Sequence, residues 1–172
     1  AADFLHIETG HLAQIGESSL TDEGMDVADA DLESDEIPTS YVPFRNANLL
    51  SMATSCAEAT DSSALFIGAH SEDFSGYPDC RPTFFDAFQQ VIDVGTKPET
   101  EIELKAPFVE WSKTNIAERG LDLGVPYDIT WSCYRDEEPA FGTCDACAFR
   151  LEAFRNAGSR DPIAYAKRPD FS

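Results

Sequence analysis

The sequence predicts an α/β fold built on a parallel sheet, and three observations predict it. Short apolar segments alternate with segments of helical apolar spacing in the order strand, helix, strand, helix, strand, helix, the pattern of a parallel sheet with crossover helices. The run Ala64-Leu-Phe-Ile-Gly-Ala69 is continuously apolar and ends in small residues, as a central parallel strand buried on both faces would be. Near the C-terminus, Cys133, Cys144 and Cys147 cluster in a way that suits a small metal-bound lobe.

Taken in order, Phe4–Glu8 reads as a short strand and Gly10–Ile15 as a helical piece. Thr21–Pro38 is acidic and poor in apolar residues, so it is expected to be a mobile surface loop. Ala47–Thr60 places Leu49, Leu50, Met52, Ala53, Cys56 and Ala57 on a buried helical stripe. After the Ala64–Ala69 strand, Pro82–Val94 is an amphipathic helix with Phe84, Phe85, Phe88, Val91 and Ile92 on its apolar side. Glu101–Val109 is a strand carrying Ile102 and Leu104. Ser112–Gly120 is a helix with Ser112 as its N-cap, and Leu151–Asn156 continues a helix after the cysteines, with Phe149 and Phe154 as core contacts of the lobe.

Charge narrows the function. Twelve Lys and Arg, of which four are Lys, face 32 Asp and Glu, a net of −20. Such a surface repels phosphate backbones, which argues against direct nucleic-acid binding. The acids are spread along the chain, as on a surface adapted to high salt, a halophilic pattern. No apolar run reaches the roughly 18 residues of a membrane span, and nothing in these residues reads as a basic-then-apolar leader, so secretion is not expected. Clustered cysteines without a leader fit a reducing, cytoplasmic setting.

In Cys144-Asp-Ala-Cys147 a tight turn can aim two sulfurs at one ion, and Cys133 can return to it as a third thiolate. A redox dithiol would normally open a helix beside a βαβ unit, whereas this pair follows a charged loop containing Pro and Gly. Structural zinc takes four ligands, and the spacing supplies three. A disulfide or inert thiols are the other readings. Cys56 reads as core, and Cys80 lies far upstream of the cluster. His6, His11 and His70 lack the spacing of a helical metal pair, although His70 follows the central strand and can reach a strand-end site.

Four segments, Tyr41-Val-Pro-Phe-Arg-Asn46, Ser75-Gly-Tyr-Pro-Asp-Cys-Arg-Pro82, Leu121–Tyr134 and Gly142-Thr-Cys-Asp-Ala-Cys147, occur in an order and at separations that closely resemble the QueC family of 7-cyano-7-deazaguanine synthases. The resemblance covers nearly the whole chain. It implies an adenine nucleotide α-hydrolase-like (Rossmann-like) sheet, with a partial α/β domain over 1–130 and a zinc lobe over 131–172. It implies a C–N ligase that uses ATP, with Mg2+, to convert 7-carboxy-7-deazaguanine and ammonia into the nitrile for queuosine or archaeosine, and so a place in tRNA modification without direct tRNA contact. Its partners would be small molecules, and a homodimer is compatible. A non-catalytic zinc-stabilised module derived from such an enzyme is the competing reading.

Two departures accompany the resemblance. The family's Ser-Gly-Gly-x-Asp-Ser phosphate loop does not occur in these residues, so the chain is expected to start inside the family's third strand and to be inactive alone. The family's second metal cysteine falls at Phe141, leaving Cys133, Cys144 and Cys147 as ligands and Glu137 or Glu138 as candidate oxygen donors in its place. Substrate or ATP contacts are expected from Tyr41, Arg45, Asn46, Tyr77, Asp79, Arg81 and Lys113. The guanidiniums and the ammonium suit phosphate or carboxylate, Asp79 suits purine-like N–H groups, and Tyr77 suits a base.

Overall fold

Two short strands, β1 (Ala64–Phe66) and β2 (Glu103–Lys105), run parallel, with Ala64 opposite Glu103 and Phe66 opposite Lys105. The Glu103 N–H donates to the Ser63 carbonyl at 3.0 Å and the Ile67 N–H to the Lys105 carbonyl at 2.9 Å, which extends the ladder. Parallel strands need a crossover, and helix α3 (Pro82–Gly95) lies between them in the chain. The computed structural model describes residues 5–22, 24–31, 36–70, 77–135 and 138–169.

Helix α3 buries Phe85, Phe88 and Ile92 against Leu50 and Ala57 of α2 (Arg45–Ala59) and against Ile102, forming the main apolar cluster. Burying each large side chain contributes roughly 1.5–3 kcal/mol. Gln89 of α3 also turns to the sheet. Its Oε1 accepts the Leu104 N–H at 2.7 Å and its Nε2 donates to the Ile102 carbonyl at 2.9 Å. These are the outward backbone groups of β2, so a side chain satisfies them where a further strand would stand.

Helix α4 (Lys113–Asp122) starts with the expected cap, built as a reciprocal box: Asn115 N–H to Ser112 Oγ at 3.1 Å and Ser112 N–H to Asn115 Oδ1 at 3.2 Å. Helix α5 (Asp145–Asn156) packs on α4. The predicted six-residue helix α1 (Gly10–Ile15) is present. Among the described residues no helix is long and apolar enough to cross a membrane.

Several expectations are corrected. Leu5–Glu8 forms no strand, because no neighbouring strand supplies ladder partners among the described residues, and Phe4 lies outside those residues. The Ala64–Ala69 run is strand only over Ala64–Phe66 and is not buried on both faces, since Phe66 is 71% exposed. Strand β2 is shorter than Glu101–Val109, because the chain turns at 107–110 after Pro107. On α2, Leu49 is exposed and Cys56 half-buried, and on α3 Val91 is exposed, so both stripes are narrower than the apolar spacing suggested. Helix α2 begins before Ala47 because the Asp79 carboxylate, distant in sequence, accepts the Asn46 N–H at 2.8 Å. Helix α5 starts at Asp145, well before Leu151.

The acidic 21–38 segment is also not a free loop where it is described. Arg135 Nε donates to the Val27 carbonyl at 2.8 Å, Arg135 Nη1 pairs with Asp29 at 2.8 Å, and the Ala30 N–H donates to the Thr143 carbonyl at 2.8 Å. Arg135 thus fastens this segment to the cysteine lobe, and Val27 packs on its apolar cluster.

The far edge of β1 pairs with no strand among the described residues, and Phe66 stands exposed beside it. Unpaired strand edges with apolar side chains template association. The 172-residue polypeptide is therefore expected to self-associate, and Phe66→Lys to reduce that association. Light scattering on a size-exclusion column checks both, and a strictly monomeric parent would contradict the expectation.

Candidate functional site

The sulfur atoms of Cys133, Cys144 and Cys147 all lie within 4.8 Å of one another. Tetrahedral zinc with Zn–S bonds of about 2.3 Å separates its sulfurs by about 3.8 Å, so the three fit one ion. Local structure places them. Cys144 is the N-cap of α5 and Cys147 lies in its first turn, so one helix start presents both sulfurs. Gly142 sits at φ +105°, and a Cβ there would fall 1.7 Å from the Lys167 carbonyl oxygen, so this approach requires glycine. The C-terminal segment closes over the turn through Ala140 N–H to the Ala164 carbonyl at 3.0 Å and Ala166 N–H to the Ala140 carbonyl at 2.8 Å.

The cluster is set up for thiolates. Cys133 Sγ accepts from the Phe141 N–H at 3.3 Å and from the Arg135 N–H at 3.4 Å. Cys144 is pushed down to about 5, first by a hydrogen bond from the Cys147 thiol and further by the backbone amide of Tyr134. Cys147 is raised, first because its proton serves that same hydrogen bond. An ion would displace this shared proton, since every ligand must be deprotonated.

Phe141 supplies no ligand atom. Its ring instead lies between two cations, with Arg135 Cζ 4.6 Å and Lys167 Nζ 4.9 Å from its centroid. Glu138 is not in the cluster, and Glu137 lies outside the described residues, so among the described residues the donor set is three thiolates. Cys80 is elsewhere, accepting from Asn46 Nδ2 at 3.2 Å, and is structural.

Beside the cluster lies a cavity of about 590 Å³. It opens beyond the C-terminal ends of both strands, where open parallel sheets bind ligands. His70 follows β1, Phe108 follows β2, Lys113 comes from α4, and Trp131 and Tyr134 flank Cys133. Arg150 of α5 also lines it and is held from behind. Its Nε and Nη2 reach the two oxygens of buried Asp161 at 2.7 and 3.0 Å, and Nη2 donates to the Tyr127 carbonyl at 3.1 Å. Lys113 Nζ lies 4.5 Å from the Phe149 ring centroid. Sequence reasoning left Trp131, Tyr134 and Arg150 unnamed. Their adjacency to the clustered cysteines was the available signal.

Of the seven expected contact residues, only Lys113 lines this cavity. Tyr41, Asn46, Tyr77 and Asp79 gather at the start of α2. The Tyr41 and Tyr77 rings are 5.8 Å apart, and the Tyr77 hydroxyl is 2.9 Å from Ser40 Oγ. Asp79 is 4% exposed and caps α2, while Asn46 Nδ2 donates to its carbonyl at 2.9 Å. Arg81 is exposed at the start of α3 and Arg45 half-buried in the first turn of α2.

His70 has a pKa lowered to about 4, first by burial and then by the charge of Lys113. Above about pH 6.5 the imidazole is neutral in both folded and unfolded chains and adds no pH dependence. Between there and about 4 the unfolded chain takes up the proton and the folded chain does not, so stability falls as pH drops through that window. His70→Gln is expected to flatten this part of the slope, as read from urea midpoints of both proteins. An unchanged slope would contradict the burial.

A sequence-family model described as queuosine biosynthesis protein QueC matches residues 1–158. The 7-cyano-7-deazaguanine synthase of Haloarcula marismortui is 78% identical over 172 residues, which is all of this chain and 74% of that protein. The synthase of the same name from Halobacterium salinarum is 74% identical over 172 residues, covering 75% of its length. That of Chlorobium phaeobacteroides is 55% identical over 167 residues, 97% of this chain and 74% of the relative.

Proposed function

The chain belongs to the QueC family of queuosine biosynthesis proteins, and from that membership we propose that it makes 7-cyano-7-deazaguanine from 7-carboxy-7-deazaguanine and ammonia at the expense of ATP. The carrying observation is the joint one: similarity along the whole chain to synthases of that name, together with a three-cysteine centre beside a strand-end cavity.

The chemistry of the reactants explains the need for ATP. A carboxylate is a poor electrophile. Its oxygen attacks the α-phosphorus, pyrophosphate leaves, and an acyl adenylate forms. Ammonia displaces AMP to give the amide. A second activation places AMP on the amide oxygen, and loss of AMP and a proton leaves the nitrile. The protein's part is to hold the reacting groups together and to place positive charge and donors near the developing oxyanions.

Zinc fits the three thiolates, and we assign it a structural role. Held by Cys133, Cys144 and Cys147, it would tie α5 to the 131–134 segment that walls the cavity. Magnesium would accompany ATP.

The 172 residues contain no Ser-Gly-Gly-x-Asp-Ser loop to cradle a triphosphate with backbone amides. Two results are expected when AMP release is followed with ATP, ammonium and the carboxylated heterocycle. The product of the complete reading frame encoding these residues releases AMP only when the carboxylate is present, and the 172-residue polypeptide alone releases none. Carboxylate-independent release by the former, or full-rate release by the latter, would overturn the respective expectation.

A further inference from the structure

Arg150 stands where three parts of the chain meet. It lies on α5 three residues after Cys147, so the two side chains leave the helix on one face. Its Nε and Nη2 reach Asp161 in the C-terminal segment at 2.7 and 3.0 Å. On the other side Nη2 donates to the Tyr127 carbonyl at 3.1 Å and Nη1 to Ser132 Oγ at 3.4 Å. These bonds take four of the five N–H donors of a guanidinium. Arg150 lines the strand-end cavity, yet its donors are spent on the protein, as in a residue that holds a wall rather than grips a ligand.

What Arg150 holds is the segment that delivers Cys133. Ser132 is the adjoining residue, and Tyr127 lies earlier in the same stretch. Cys133 otherwise depends on its own loop. Its sulfur accepts from the Arg135 and Phe141 N–H groups, and both residues lie between Cys133 and Cys144. Those bonds shape the loop without fixing it to α5, where Cys144 and Cys147 stand. The register is consistent with a shared task. Three residues advance about 4.5 Å along a helix, close to the roughly 3.8 Å between consecutive Cα atoms. Cys147 thus meets Cys133 in the cluster while Arg150 meets Ser132 beside it.

We infer that Arg150 is a positioning residue for the cysteine cluster: it holds 127–133 against α5, so that Cys133 stands beside Cys144 and Cys147 before an ion arrives. This role rests on the assignment of zinc above and adds a residue that does not itself touch the ion. An ion that meets a preassembled third thiolate does not have to close the Cys133–Cys144 loop, and that closure carries an entropy cost. Loss of such an outer support lowers metal affinity by about 10–100-fold.

Arg150→Met alone would strand the buried Asp161 carboxylate, so two other variants carry the test. Arg150→Lys keeps a cation beside Asp161 but has no fork to reach Tyr127 and Ser132 as well. Arg150→Met with Asp161→Ala removes the same two bonds and both charges together. The zinc-free product of the complete reading frame and both variants are titrated with zinc against a chelator under reducing conditions. Amide exchange of the 127–133 peptide is followed by mass spectrometry with and without zinc. Both variants should bind zinc about tenfold more weakly than the parent. Without zinc their 127–133 amides should exchange faster than the parent's, and saturating zinc should return them to its rate. Affinities equal to the parent's, or zinc-free exchange equal to the parent's, would overturn the role of Arg150 and leave the zinc assignment standing. Weaker binding with fast exchange that zinc does not restore would mean that Arg150 only supports the fold of the lobe, and the positioning role would fall. A parent that binds no zinc would remove the zinc assignment and this role together.

Discussion

Cys144→Ser is expected to abolish stoichiometric zinc binding and to unfold the C-terminal lobe. Metal affinity in such lobes is folding free energy, about 10–16 kcal/mol in zinc-finger peptides with full ligand sets. Cys144 is fully buried and its side chain makes no cap bond at the start of α5, so its replacement by Ser removes a ligand while leaving the helix start in place. The reverse change is as informative. Phe141→Cys offers a fourth thiolate where the chain now has a ring. It sacrifices two cation–π contacts, to Arg135 and Lys167, worth about 0.5–1 kcal/mol each. A thiolate replacing a water or carboxylate oxygen on this borderline-soft ion should outweigh that loss. Competitive chelator titration under reducing conditions should rank Phe141→Cys tightest, the parent next, and Cys144→Ser without measurable binding. Equal affinity for the first two would mean that another residue already completes the tetrahedron.

Asp161→Ala should be the most damaging change outside the cysteine cluster. The side chain of Asp161 is 0% exposed and holds Arg150 through two bonds. The Tyr165 hydroxyl donates to it at 2.6 Å, and the Ile163 N–H at 3.3 Å. Removing one partner of a buried pair leaves an uncompensated charge and typically costs about 3–5 kcal/mol. The double variant Arg150→Met with Asp161→Ala should recover much of this, because the stranded guanidinium is gone. Urea denaturation of the four proteins closes the cycle. A loss below about 1 kcal/mol for Asp161→Ala would show that water already screens the pair.

Local patterns carried much of the fold. Helical spacing located α2 and α3, Ser112 announced the α4 cap, and the three cysteines converge as their spacing implied. Long-range partners were not legible. Nothing near Asn46 predicts that Asp79 will cap its helix, and nothing in the acidic 24–31 stretch predicts that Arg135 will hold it. The apolar run at Ala64–Ala69 implied two covered faces, but coverage is a property of neighbouring strands, not of the run itself. The cavity was hidden for the same reason, since His70, Lys113 and Trp131 meet only when both strand ends and the cysteine lobe are in place.

Nitrile formation from the carboxylate can be followed by isotope. The product of the complete reading frame is incubated with ATP, 7-carboxy-7-deazaguanine and ¹⁵N-ammonium, and the heterocyclic product is weighed by mass spectrometry. The expected product is 7-cyano-7-deazaguanine carrying one labelled nitrogen, with both carboxylate oxygens lost. An unlabelled product, a labelled amide that never proceeds to nitrile, or unchanged carboxylate with zinc and ATP saturating would contradict it.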